Sequence, residues 1–520
     1  VHPFESFLQD FVPELEKKSR RLNQVLWIME TTGSKDAAGL KADLDTEYRL
    51  LFNDESIYQK LLEWEKNPPE SPELKRQLKI LLFSFKENMC PKEILKKIAS
   101  KEAEVGLAYA CFRPKLDGKE ISENELREKM KSEEDPSKRK EIWEVSKDIG
   151  KELAKPILEL VNLRNEGAKA LGYSDYFQMQ LGLQEVDGKW LMDTLDELAT
   201  KSDAAYSKVA EKIESELSER FHVSREELGP WAWSEPFCQE DPLDSKVLDD
   251  LVKDVDILKS SHSFFHEMGF DVNPILDRSD MYEREGKNQH AFCINIDRRD
   301  DIRTLNNVKP SIKWYETVLH ELGHAVYEVG FDDKLPWLLR APPHMIPTEA
   351  MALICGRQAY KKHFLENVVK DQNLMDKAEE SLKRRQLIFS RWVLVMTHFE
   401  AELYRDPTQD LNKLWWDLVQ RFQKVKAPKN REGAMDWAAK YHIGLAPVYY
   451  FSYLLGEMFA SGIQKNIEEK TGKEILNQKE VGEYLRTKLF APGALLSWDK
   501  LIEHTLDEPL SPNAWLEEFA

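Results

Sequence analysis

Along most of the chain, apolar residues recur at three- and four-residue spacing among Glu, Lys and other polar residues. That is the period of a helix burying one face. The pattern predicts helices over 5–32, 43–65, 73–88, 91–108, 136–171, 187–218, 244–268, 373–404 and 410–426. The breaks are short: Asn67-Pro68-Pro69, Asp135-Pro136, Asp241-Pro242, Pro428-Lys429-Asn430 and Ala491-Pro492-Gly493. None is long enough to be a flexible linker between domains. No internal repeat or low-complexity tract interrupts the pattern. It changes only in 275–305, where polar turn residues alternate with β-leaning runs such as Ala291-Phe292-Cys293-Ile294-Asn295-Ile296. A small sheet is expected there, just ahead of a further helix over 311–329. The fold class is therefore mainly α, and residues 1–520 read as a single domain.

Charge narrows the partners. Acidic residues outnumber basic ones 93 to 74, for a net charge of −19. Nucleic acids and anionic membranes require a positive footprint, so neither is an expected partner. No apolar run approaches the roughly 18–20 residues of a membrane-spanning helix. The start, Val1-His2-Pro3-Phe4, lacks the layout of a secretory leader. The five cysteines (Cys90, Cys111, Cys238, Cys293, Cys355) form no CxxC pair and read as small buried thiols. There is no Asn-x-Ser/Thr site. A reducing cytoplasm is the expected compartment, with secretion or a periplasm after leader removal as the alternative.

The chemistry sits in His320-Glu321-Leu322-Gly323-His324. On a helix, a spacing of four puts both imidazoles on one face, a turn apart, where one zinc ion can take both. Glu321 lies beside them, able to reach a water on the ion and accept its proton. A catalytic zinc site needs a third protein ligand and one open position. The metzincin continuation fails, because Tyr327 and Gly330 do not supply its third histidine. The alternative is a carboxylate from the next helix. After a proline-punctuated connection over 335–347, a helix is expected to start near Thr348 with Glu349 in its first turn. Glu316 and Glu328 share faces with the histidines and read as solvated or supporting groups.

Three stretches together resemble the angiotensin-converting-enzyme family of zinc dipeptidyl carboxypeptidases, within a group that includes thimet-type oligopeptidases and Taq-type carboxypeptidases. The first is His290-Ala291-Phe292-Cys293, thirty residues ahead of His320. The second is His320–His324 followed by Leu335-Pro336 and Glu349. The third is Lys440-Tyr441-His442-Ile443 with the aromatic run to Tyr453. Weaker similarity reaches the N-terminal helices and Pro492-Gly493…Trp498. The resemblance implies one zinc ion on His320, His324 and Glu349, with Glu321 as general base. It implies that His442 and Tyr453 stabilise the oxyanion. It also implies that His290, Ala291, Lys440 and Tyr450 bind an oligopeptide substrate, Lys440 at the C-terminal carboxylate. The implied architecture is two-lobed with a deep central cleft, a helical lid over 1–110, a zinc-binding core over 275–365 and an oxyanion and substrate segment over 435–460. The implied reaction is release of C-terminal dipeptides.

Several positions depart from the family pattern. Tyr449, Tyr450 and Tyr453 compete for the oxyanion role, and Tyr453 is favoured. A glutamine that grips the substrate terminus is replaced by Trp233, which weakens the case for strict dipeptide release. Leu353 stands where a carboxylate supporting a ligand histidine is expected. Ser452 replaces an arginine tied to chloride activation, so little chloride dependence is expected. Gln289 replaces a disulfide cysteine. The run His324-Ala325-Val326-Tyr327-Glu328 and the segment Asp301-Ile302-Arg303-Thr304 look somewhat like the Taq type. Internal cleavage and single-residue release therefore remain alternatives. In a different class, the chain is an inactive peptide-binding protein.

Overall fold

Helices carry most of the chain where the apolar period is strong. The computed structural model describes residues 2–243 and 245–520, with Ser245 described in its backbone alone. Among these residues the fold is mainly α, with two two-stranded antiparallel sheets. Three predicted long helices are each split, 244–268 into Ser245–Val252 and Ile257–Glu267. The 43–65 prediction is occupied by Lys35–Leu50 and Glu55–Lys66, the second capped by Asp54, whose side chain accepts from Ile57 N. The 136–171 prediction becomes Pro136–Ser146 and Asp148–Ala170, broken at Lys147. No helix among the described residues is long and apolar enough to cross a membrane.

The chain forms two compact units, each assembled from separated segments. The first comprises Val1–Met89, Lys246–Glu379 and Leu455–Trp515; the second comprises Cys90–Ser245, Glu380–Leu454 and Leu516–Ala520. In the first unit, the helices Pro3–Thr32, Glu55–Lys66 and Pro72–Glu87 bury Phe4, Leu8, Leu61, Leu81 and Phe85 in one cluster with Trp337 and Leu338. Each such side chain contributes about 1.5–3 kcal/mol when fully buried. That cluster anchors the connection that follows the HExxH helix.

The expected sheet is present. Strand Phe292–Asn295 pairs with Ile302–Leu305 in antiparallel register, Phe292 opposite Leu305 and Asn295 opposite Ile302. Both strands pack against the HExxH helix. The second sheet was not foreseen: Lys115–Leu116 pairs with Lys119–Glu120 around Asp117-Gly118, both at positive φ. Asp-Gly is a strong hairpin signal, and it was there to be read.

Candidate active site

The HExxH helix runs Ile312–Val329 and begins at Ser311, whose side chain accepts from Trp314 N. The helix that returns to it runs Met345–Gly356, three residues earlier than expected. The reason is His344, whose Nδ1 accepts from Ile346 N at 3.0 Å and caps the helix. Pro347 is tolerated because the first-turn N–H groups have no helical partner to lose. Glu349 accordingly lies in the second turn, not the first. The two helices cross tightly at Gly323, where a Cβ would meet Ala352 Cα at 2.9 Å. Glycine in the motif thus lets the second helix approach closely enough to deliver its carboxylate.

The result is one cluster. Ligand atoms of His320, His324 and Glu349 all lie within 4.8 Å of one another, the single group of this kind among the described residues. Glu349 Oε2 is 3.6 Å from His320 Nε2 and 3.2 Å from His324 Nε2. That oxygen is buried and has no hydrogen-bond partner of good geometry. Burial raises the cost of charge on Glu349, but the two imidazoles outweigh it and hold its carboxyl below the usual range. Burial likewise disfavours charge on His324, yet the Glu349 carboxylate prevails and pushes it up to about 9. The three groups thus create a field that favours a positive charge at their centre, and a metal cation answers it. Two imidazole nitrogens and a carboxylate oxygen fit zinc.

Glu321 projects from the same helix and is buried. Burial pushes its carboxyl up, and the neighbouring imidazoles pull back only part of the shift. Glu328 is half-buried: burial pushes its carboxyl up to about 7, with His324 and Arg298 opposing. Glu316 accepts a hydrogen bond from the Tyr360 hydroxyl at 3.1 Å and stands outside the cluster. Sequence reasoning missed Thr348. Its hydroxyl lies 2.7 Å from His324 Nδ1, supplying the partner that Leu353 cannot.

His290 is exposed, and its N–H donates to Asn288 Oδ1 at 2.9 Å. Ala291 immediately precedes the strand Phe292–Asn295. Among the described residues that strand has one strand neighbour, so its other edge has no strand paired to it. Arg303, in the Taq-like segment, is held by Asp301 through two hydrogen bonds of 2.7 and 2.8 Å.

The remaining predicted residues belong to the second unit. Lys440 is buried in an aromatic cage, its Nζ 5.0 Å from the Phe237 ring centre, 5.1 Å from Trp392 and 5.6 Å from Tyr450. Among the described residues no carboxylate pairs with it, and its one hydrogen-bond contact is Gln239 Oε1 at 3.5 Å. A glutamine therefore does accompany Lys440, six residues beyond Trp233. The Glu235 carboxylate accepts from both Phe237 N and Gln239 N and holds this turn in shape. The preceding Cys238 is at φ 55, which no spacing rule would foresee.

His442 packs its ring 4.8 Å from that of Tyr450, and Tyr450 lies 5.5 Å from Tyr453. Tyr449 is 5.2 Å from Tyr453. Burial, helped by Lys440, pushes His442 down to about 4, so the imidazole is neutral at physiological pH. The aromatic run is launched by Val448 at φ 55, a strained value for a β-branched residue. Its N–H donates to buried Glu400 at 2.7 Å, which holds the strain in place.

Three family models match the chain. Peptidase family M3 matches residues 276–520, angiotensin-converting enzyme matches 2–227, and carboxypeptidase Taq (M32) metallopeptidase matches 119–346. The chain is 22% identical over 282 residues to an angiotensin-converting enzyme of Theromyzon tessulatum, covering 50% of this chain and 45% of that one. It is 26% identical over 180 residues to an angiotensin-converting enzyme of Oryctolagus cuniculus, covering 33% of this chain and 14% of that one. The matched stretch thus spans less than half the length of either relative.

Proposed function

The chain belongs to the angiotensin-converting-enzyme-like metallopeptidases, the group that takes in family M3 and the Taq-type carboxypeptidases, and on that premise we propose that it hydrolyses oligopeptides with one zinc ion and releases C-terminal dipeptides. The observation that carries the reading is the convergence of His320, His324 and Glu349, with a buried Glu349 oxygen left without a hydrogen bond. Residues 1–520 act in this reading as one catalytic domain.

His320, His324 and Glu349 would hold the ion, which when bound supplies a Lewis acid that polarises a carbonyl and acidifies water. Glu321 takes the proton of the attacking water and delivers it to the leaving amine. Its raised pKa brings it nearer to both tasks than an ordinary carboxylate would be. We assign His442 and Tyr453 to the oxyanion. The neutral state of His442 makes it a hydrogen-bond donor and not a fixed cation. The edge of Phe292–Asn295 that no strand covers, engaged by Asn23 Nδ2 only at its Asn295 end and with Ala291 and His290 at its start, suits a peptide added as a strand.

Lys440 selects the dipeptidase mode. An ammonium buried among aromatic rings, with an amide beside it and no carboxylate partner, suits a C-terminal carboxylate. Tyr450 faces the same ammonium with its ring. Gln239 beside Lys440 supports that mode despite Trp233.

Mass spectrometry of the products from one defined decapeptide, with free and with amidated C-terminus, tests this reading. Dipeptides are expected, released faster from the free than from the amidated peptide. Single residues would mean the Taq mode, internal fragments the thimet mode, and intact peptide at full zinc occupancy an inactive binding protein.

A further inference from the structure

Resting on the zinc reading above, we infer that the Thr348 hydroxyl is the positioning group for His324, so that consecutive residues of the return helix supply one metal ligand and orient another. His324 has a different partner on each ring nitrogen. Nε2 faces Glu349 Oε2 at 3.2 Å, and Nδ1 faces Thr348 Oγ1 at 2.7 Å. A neutral imidazole carries one N–H and one lone pair. With Nδ1–H donating to the hydroxyl oxygen, the lone pair is on Nε2 and points to where Glu349 and His320 converge. Thr348 thus fixes both the tautomer and the ring orientation.

Thr348 is itself rigid. It is 5% exposed and sits within the first turns of the Met345–Gly356 helix, which crosses the HExxH helix at Gly323. The other ligand imidazole differs: among the described residues the His320 ring makes no hydrogen bond beyond its approach to Glu349. One histidine is therefore held by the protein and the other is held by the cluster alone. The family resemblance places a carboxylate at position 353 to support a ligand histidine, and the aliphatic Leu353 side chain cannot do so. A hydroxyl five residues earlier takes over. Being uncharged, it orients the ring without adding a fourth carboxylate to a site that already contains Glu321, Glu328 and Glu349.

The test is the zinc dissociation constant of the full chain, measured by competition with a chromogenic chelator. Thr348→Val keeps the shape and removes the hydroxyl; Thr348→Ser keeps the hydroxyl and removes the methyl. Loss of such an outer partner weakens metal binding by about 10–100-fold, and this is expected of Thr348→Val, with Thr348→Ser within about 3-fold of wild type. Equal affinity in wild type and Thr348→Val overturns the inference. So does equal loss in both variants, which would trace the effect to packing. If the wild-type chain itself takes up no zinc, the zinc reading fails, and that outcome is distinct from either result in the variants.

Discussion

The metal cluster and the Lys440 cage are opposite solutions to the burial of charge. The first gathers two imidazoles and a carboxylate so that lone pairs point inward and a cation is wanted. The second places an ammonium among aromatic faces, where the ring quadrupoles soften the cost of burial but supply no negative partner. In the first unit the negative partner is part of the chain. In the second it is missing from the chain, and a substrate terminus supplies it in our reading. One region should therefore govern whether bonds break, and the other which bond breaks.

The largest effect should come from Glu321→Gln, which removes the proton acceptor and leaves the ligands in place. We expect kcat to fall by about 10²–10⁴-fold at unchanged zinc content. Loss of zinc in that variant would erase the distinction between ligand and base. Tyr453→Phe should lower kcat by about 10²–10³-fold with little change in KM, and Tyr450→Phe should not. The reverse ranking would move the oxyanion role to Tyr450. Lys440→Met should raise KM by about 10–100-fold for a peptide with a free C-terminus and leave an amidated peptide unaffected, since charge-assisted hydrogen bonds contribute about 1.5–3 kcal/mol. A uniform loss on both peptides would make the cage structural.

The smallest effect concerns the cap that sets the return helix. His344 accepts with Nδ1, and burial pushes it down to about 4 from an ordinary 6.5. As pH falls below 6.5 the unfolded chain gains this proton, whereas the folded chain resists until about 4. Stability is lost across that window. His344→Asn keeps an acceptor that does not titrate. Its melting temperature should fall less than that of wild type between neutral and mildly acid pH, by about 1–3 °C. Parallel melting curves would show that the cap plays no part in acid sensitivity.

Much of this was legible because it is local. The helix over 311–329, the sheet before it and the return of Glu349 follow from period, capping and the spacing of the motif. Thr348 was not legible, because an ordinary threonine beside a glutamate gives no signal until the two helices cross at Gly323 and bring it to His324. Gln239 escaped for a similar reason: the positive φ at Cys238 and the Glu235 turn carry it away from the register that a linear comparison with Trp233 assumes. The break at Lys147 is masked by continuous helical periodicity on either side. The segments that make up each unit escaped, since pairings between distant segments leave no composition boundary.

That division has a consequence for biosynthesis. The path of the chain switches from one unit to the other five times, and the first unit is closed only by Leu455–Trp515. A ribosome that has just emitted Glu349 has delivered all three metal donors but not the segment that completes their scaffold. Domains usually mature as contiguous pieces during translation. Here neither unit is contiguous, so metallation of a finished enzyme is expected to follow release of the whole polypeptide, and nascent chains stalled before residue 455 should not retain zinc.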